Sequence, residues 1–329
     1  MRNRFLFGYA IRSMLWIVSA VSLLPSVALA QVARIEIHPI ESTTVTNQQF
    51  LNGDKNGNRV VIGGELRIPL GEGRFPGVIL VHGSGGVGAR EDRWAHELNG
   101  IGVAAFILDT FTGRGIVQTN TDQSQLETLS MIGDAYRALA ALSQHPRIDP
   151  SKIALMGFSK GGDVALHASI KRFQRMYSSP GIEFAAFLPF YAPCNTTYRE
   201  DDQISDRPIR MFHGSADNWV PAATCRDYVR RLQAAGKDIQ LTEYSGAQHA
   251  FDNYLTPVRE VPDAQTSRRC SLQEAEGGII VNRETRRPFT FTDTCIEHGA
   301  KFGYDAHATD EATKAVKQFF VSLWKLRTQ

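Results

Sequence analysis

A serine framed by glycines, Gly157-Phe158-Ser159-Lys160-Gly161-Gly162, follows the apolar run Ile153-Ala154-Leu155-Met156 and precedes a helix-like stretch over 163–170. This is the pattern of a nucleophile elbow. A strand feeds a turn too tight for large flanking side chains, and the serine backbone is held so that its hydroxyl stands clear of the sheet. The helix that follows aims its N-terminal amides at the same point, where an oxyanion would form. A serine alcohol is a poor nucleophile until an imidazole takes its proton. That imidazole in turn needs a carboxylate to fix its tautomer and stabilise its charged form. Both lie downstream, at Asp217 in His213-Gly214-Ser215-Ala216-Asp217-Asn218-Trp219-Val220-Pro221 and at His249 in Gly246-Ala247-Gln248-His249-Ala250-Phe251. The chemistry so indicated is acyl transfer through a serine.

Singly, each residue has a plainer reading. Asp217 suits a helix cap before 222–234, and His249 is one of nine histidines. His82 and His213 stand beside glycine at strand ends, where bonding to backbone is expected of them. His38, His96, His145, His167, His298 and His307 follow no core strand. Jointly the three residues carry the assignment, because each falls after a separate apolar run and their order is Ser, Asp, His.

The elements that must position them alternate. Strands are expected at 59–68 (broken by Gly63-Gly64), 77–81, 103–108, 152–156, 184–191, 209–212 and 239–244. Helices are expected at 90–98, 126–142, 222–234 and 306–326. Short, continuously apolar strands alternating with helices predict a mostly parallel central sheet with helices on both faces. Sites in such sheets lie beyond the carboxyl ends of the strands, which is where Ser159, Asp217 and His249 fall.

The loop His82-Gly83-Ser84-Gly85-Gly86, after 77–81, supplies the second half of an oxyanion hole. The amides of Ser84 and of Lys160 are the expected donors. It does not read as a phosphate loop, since no Gly-Lys-Ser/Thr stands at the required spacing.

With these residues in view, the chain resembles the dienelactone hydrolase family of α/β-hydrolases. The resemblance runs over about 64–252 and returns in the last helix. It rests on Glu65-Leu66-Arg67-Ile68-Pro69, the His82–Gly86 string, Asp109-Thr110-Phe111-Thr112-Gly113-Arg114-Gly115, Asp149-Pro150-Ser151-Lys152-Ile153-Ala154, the elbow, the Asp217 loop and His249-Ala250-Phe251-Asp252. It implies an α/β-hydrolase fold and a small-molecule ester or lactone as substrate, with no cofactor and no metal. The namesake enzymes use cysteine as nucleophile; Ser159 makes this chain similar to the serine esterase-type members. Phe111, Arg114, Tyr191, Trp219 and Phe251 fall on or beside site loops and are candidates for substrate contact. The Lys160 ammonium is expected to point to solvent.

The first thirty residues read as an address. Arg2, Arg4 and Arg12 precede an apolar core over 15–24, then Pro25 and Ala28-Leu29-Ala30, the order of a cleaved secretory signal. The core is shorter than the roughly 20 residues needed to span a bilayer. Without the leader, 33 basic side chains face 34 acidic ones, so the charge gives no argument for nucleic acid as a partner. The remainder divides into an N-terminal extension, 31–58, and a hydrolase domain, 59–329, with an insertion at about 254–303.

All four cysteines lie in the mature part, as suits an oxidising compartment, periplasmic or secreted. Of three possible pairings, position favours Cys194–Cys225 and Cys270–Cys295, each closing a loop of about 30 residues worth about 3.5 kcal/mol. The resemblance supports the first pair, since family members carry cysteines at those two places. Zinc is the weaker reading, as there is no Cys-x-x-Cys pair. The insertion is expected either to reach over the site mouth or to be a surface loop. The whole predicts an exported serine hydrolase acting on carboxylic esters. A silent binding protein of the same fold, or an acyltransferase or peptidase using the same triad, are the alternatives. Oligomeric state is not legible.

Overall fold

A computed structural model describes Met1 and residues 32–326; the expected leader lies outside the described residues. Its centre is an eight-stranded sheet. The strands are β1 (Val32–Thr44), β2 (Asn58–Pro69), β3 (Phe75–Val81), β4 (Ala104–Asp109), β5 (Ile148–Phe158) and β6 (Phe187–Phe190), followed after a short β7 (Thr196–Thr197) by β8 (Ile209–Gly214) and β9 (Ile239–Tyr244). Their spatial order is β1-β2-β4-β3-β5-β6-β8-β9, parallel from β4 onward, with β1 and β2 antiparallel at one edge. This is the expected fold class, an α/β-hydrolase sheet.

The helices are α1 (Asn47–Leu51), α2 (Ala89–Asn99), α3 (Thr128–Ser143), α4 (Lys160–His167), α5 (Lys171–Tyr177), α6 (Ala222–Ala234) and α7 (Ala306–Trp324). They make two cores. On one face α3 to α6 bury Leu129, Ile132, Val164, Phe173 and Leu232. On the other, α2 and α7 bury Trp94, Leu98, Ala312, Val316 and Phe320. Among the described residues, no helix is long and apolar enough to cross a membrane.

Two differences from the expected elements have clear causes. Strand β2 runs unbroken through Gly63-Gly64, which pair with β1 on one side and β4 on the other. At Gly64 the ring of Phe106 occupies the place of a Cβ, so the glycine accommodates a core aromatic rather than a turn. The second difference is β1. Its register largely alternates exposed with half-buried residues along a sheet edge, so it has no continuous apolar run to betray it, and the N-terminal extension contributes a 13-residue strand to the main sheet and helix α1 after it.

The insertion has structure of its own. Strands β10 (Arg259–Thr266) and β13 (Glu297–Phe302) pair antiparallel, while β11 (Leu272–Glu274) pairs antiparallel with β12 (Ile280–Asn282) and parallel with β7. Glu274, buried, receives both Arg172 and Arg199 and clamps the segment to the domain. Disulfides join Cys194 to Cys225 and Cys270 to Cys295, as expected.

Candidate active site

Strand β5 delivers Ser159 and α4 begins at the next residue. Ser159 has φ 55° and ψ −114°, a region that non-glycine residues avoid and that persists only where surroundings enforce it. Here they do. A Cβ at Gly157 would collide with the Gly161 carbonyl, and one at Gly161 with that of Val81. The closely packed turn thus forces the serine hydroxyl outward.

His249 follows β9 and is 3% exposed. Ser159 Oγ donates to its Nε2 at 2.9 Å, and its Nδ1 donates to Asp217 Oδ2 at 2.7 Å. Asp217 uses its two oxygens separately: Oδ1 accepts the amides of Trp219 and Val220 at 2.9 and 2.8 Å. The carboxylate therefore closes its own turn and orients the imidazole at once. Burial alone would raise the Asp217 pKa. The His249 charge, with bonds from His213 and His249, outweighs burial and holds it down at about 2. His82 and His213 bond backbone carbonyls, of Gly83 at 2.8 Å and Val220 at 2.6 Å.

A cavity of about 540 Å³ opens on Ser159. Its walls include Ser84, Lys160, Trp219, Tyr198, the segment 46–48 before and within α1, and insertion residues 265–267, 278–280 and 288–291. The insertion is therefore a wall of the cavity. The Trp219 ring lies 5.1 Å from that of His249, tilted by 43°. Several expected contacts belong elsewhere. Arg114 is closed on Asp134 and on the Thr110 carbonyl, so its guanidinium is consumed in holding a loop. Phe111, Tyr191 and Phe251 are at most 1% exposed and pack in the interior: Phe111 lies edge-on to His82, and Tyr191 donates to Asp252 at 2.6 Å. The Lys160 ammonium does not reach solvent. It turns back to Gln123, donating to its main-chain carbonyl and side-chain oxygen at 3.1 and 3.2 Å, and burial pushes its pKa down to about 8. Gln123, Gln265 and Phe289 carried no sequence signal, being ordinary residues brought to the site by loops.

Among the described residues one cluster has metal-ligand composition, Glu36, His38 and His145. Both imidazole Nε2 atoms already donate to Glu36 Oε2 at 3.0 Å. The Arg147 amide donates to His145 Nδ1, which leaves the proton on Nε2 and takes away the lone pair a metal would need. The cluster is a hydrogen-bonded brace.

The dienelactone hydrolase family model matches residues 62–323. The chain belongs to the dienelactone hydrolase family. This α/β-hydrolase is, in class, a carboxylic ester hydrolase. It is 25% identical over 217 residues to a probable 2-oxo-3-(5-oxofuran-2-ylidene)propanoate lactonase of Bradyrhizobium sp, covering 61% of this chain and 84% of that protein. Its fold is shared with a dienelactone hydrolase-like promiscuous phosphotriesterase from metagenomic libraries, at TM-score 0.56 and 18% identity, over 88% of this chain and 98% of the other. Thermogutta terrifontis esterase 2, phosphonylated by cyclosarin, has the same fold at TM-score 0.56 and 17% identity, over 91% and 98% of the two chains.

Proposed function

We propose that the chain is an exported serine hydrolase that cleaves carboxylic esters through an acyl-enzyme. The observation that carries the reading is the hydrogen-bonded line from Ser159 through His249 to Asp217, at 2.9 and 2.7 Å. His249 Nε2 takes the hydroxyl proton as Ser159 Oγ attacks the acyl carbon. The tetrahedral oxyanion is received by the amides of Ser84 and Lys160, each such donor worth about 3 kcal/mol in the transition state. Support for that placement comes from Gly83, where an added Cβ would stand 3.2 Å from Ser159 Cβ: the loop lies directly against the nucleophile. Protonated His249 then gives its proton to the leaving alcohol, and water enters by the same path in reverse.

Lactones are the second reading. A lactone is an ester whose leaving alcohol stays attached, so the chemistry is unchanged, and the Bradyrhizobium relative bears the name of a lactonase. Export is supported by the leader-like sequence and by two disulfides, which persist in oxidising compartments.

Labelling of the purified protein with a fluorophosphonate, followed by peptide mapping, tests the mechanism. The expected adduct is on Ser159, absent in Ser159→Ala and lost in His249→Ala. A folded protein that takes no label at Ser159 overturns the reading. N-terminal sequencing of the protein recovered outside the cytoplasm tests export, with Gln31 the expected first residue.

A further inference from the structure

We infer that Gln123 is a positioning residue that ties the insertion to the oxyanion side of the site, an inference that rests on the serine-hydrolase reading above. Gln123 opens a short turn, Gln123–Gln125, in the connection between β4 and α3. Its side-chain amide donates to Ser84 Oγ at 2.9 Å. Its side-chain oxygen receives Thr119 Oγ1 and Lys160 Nζ, both at 3.2 Å, and its main-chain carbonyl takes a second bond from the same ammonium at 3.1 Å. Its own amide donates to Gln265 Oε1 of β10 at 2.8 Å.

Ser84 and Lys160 are the two residues whose amides are assigned to the oxyanion, and Gln123 holds the side chains of both. No carboxylate pairs with the Lys160 ammonium among the described residues; its two hydrogen bonds both go to Gln123. Gln265 carries the connection outward. Its amide N–H donates to the Asn120 carbonyl at 2.8 Å, its carbonyl receives Trp219 Nε1 at 3.1 Å, and its side-chain amide donates to the Phe291 carbonyl at 3.3 Å. The insertion, the loop before α3, the oxyanion loop, the elbow and the Asp217 loop thus meet through two glutamines. Backbone donors stabilise an oxyanion only when already aimed at it, so the function of this junction is to fix their aim.

The test uses the full mature chain and p-nitrophenyl acetate. Gln123→Met keeps length and removes every polar contact of the side chain. Gln123→Glu keeps reach and offers a carboxylate to which Ser84, Thr119 and Lys160 can all donate. Gln123→Met is expected to lower kcat by roughly 100-fold, the scale of a 1 Å misplacement, with KM little changed. Gln123→Glu is expected to recover most of kcat, and Gln265→Met, which removes the acceptor of the Gln123 main-chain amide, to lower kcat as well. An unchanged kcat in Gln123→Met, or failure of the glutamate to recover it, overturns the inference. Should Gln123→Met not fold, Gln265→Met alone decides: a fall in kcat at constant KM supports the junction, and an unchanged kcat refutes it. Absence of fluorophosphonate label on wild-type Ser159 is a failure of the parent reading instead, so the two are distinguishable.

Discussion

Arg114 closes on Asp134 with two hydrogen bonds, at 2.7 and 3.0 Å, and the two side chains are 5% and 0% exposed. A guanidinium so engaged ties the loop after β4 to helix α3 and has no edge left for a substrate. Breaking a buried pair by removing one partner costs about 3–5 kcal/mol, because the other charge stays buried. Arg114→Ala is therefore expected to lower stability by that amount in urea unfolding, while KM of the folded fraction stays near wild type. A rise in KM with stability intact would return Arg114 to the substrate.

On the proposed mechanism, Asp217 serves both activity and acid stability. Burial opposes its ionisation, yet the His249 charge and the bonds from His213 and His249 bring its pKa from 3.8 to about 2. A carboxyl depressed on folding stabilises above its unfolded pKa, and that contribution is lost as pH falls through the folded value. Between pH 4 and 2 the wild type should lose about 2 kcal/mol more than Asp217→Asn. At neutral pH the same variant should lose roughly 10⁴-fold in kcat, since the wrong imidazole tautomer is then favoured. Parallel stability profiles for the two proteins would refute the acid-stability part.

Lys160 acts in the same sense over a higher range of pH. Burial lowers its pKa from 10.5 to about 8, against the charges of Asp163, Glu127 and Asp122. Between those values the unfolded chain binds more protons than the native one, so stability rises with pH. Wild type should gain about 3 kcal/mol relative to Lys160→Met from pH 7 to 11. Equal gains in both would show an ammonium that is solvated.

The insertion wall depends on Cys270–Cys295, which closes a separation of 25 residues. In the chain-entropy model such a loop is worth about 3.5 kcal/mol. Thiol titration of the native protein should find no free thiol, and four after unfolding and reduction. Cys270→Ser with Cys295→Ser should raise KM for bulky esters more than it lowers kcat, because the wall moves and the triad does not. An equal loss of kcat on all substrates would mean that the bridge serves the domain as a whole.

The sheet and the site differed in how far they could be read from sequence. Strands β3, β4 and β8 and helices α6 and α7 were legible because a buried strand or a one-sided helix writes an apolar period into the chain. Ser159, Asp217 and His249 were legible for a different reason, since each stands at the end of such an element. Strand β1 was not, for its edge position leaves Ile35 and Ile37 exposed. Helix α5 was also missed; residues 171–177 are largely charged and polar, and only Arg172 and Phe173 are buried. Substrate contacts failed where aromatic character was taken as a sign of a pocket: Phe111, Tyr191 and Phe251 are core. Lys160 failed because its partner, Gln123, is 37 residues away and local sequence carries no trace of that meeting.

Gln48 and Asn52 donate to the Gly277 carbonyl at 3.2 and 2.7 Å across separations of 229 and 225 residues. This contact joins the two ends of the cavity wall, α1 and the insertion. Contacts of such long range form late, after the loop entropy of everything between them has been overcome. The order of folding follows: the sheet and the nucleophile turn can assemble from neighbouring segments while the substrate chamber still lacks its far side. Competence for a particular substrate is thus the last property the chain acquires. A protein caught before that step would expose Phe289 and Phe291 to solvent, and its first hazard would be self-association rather than misdirected chemistry.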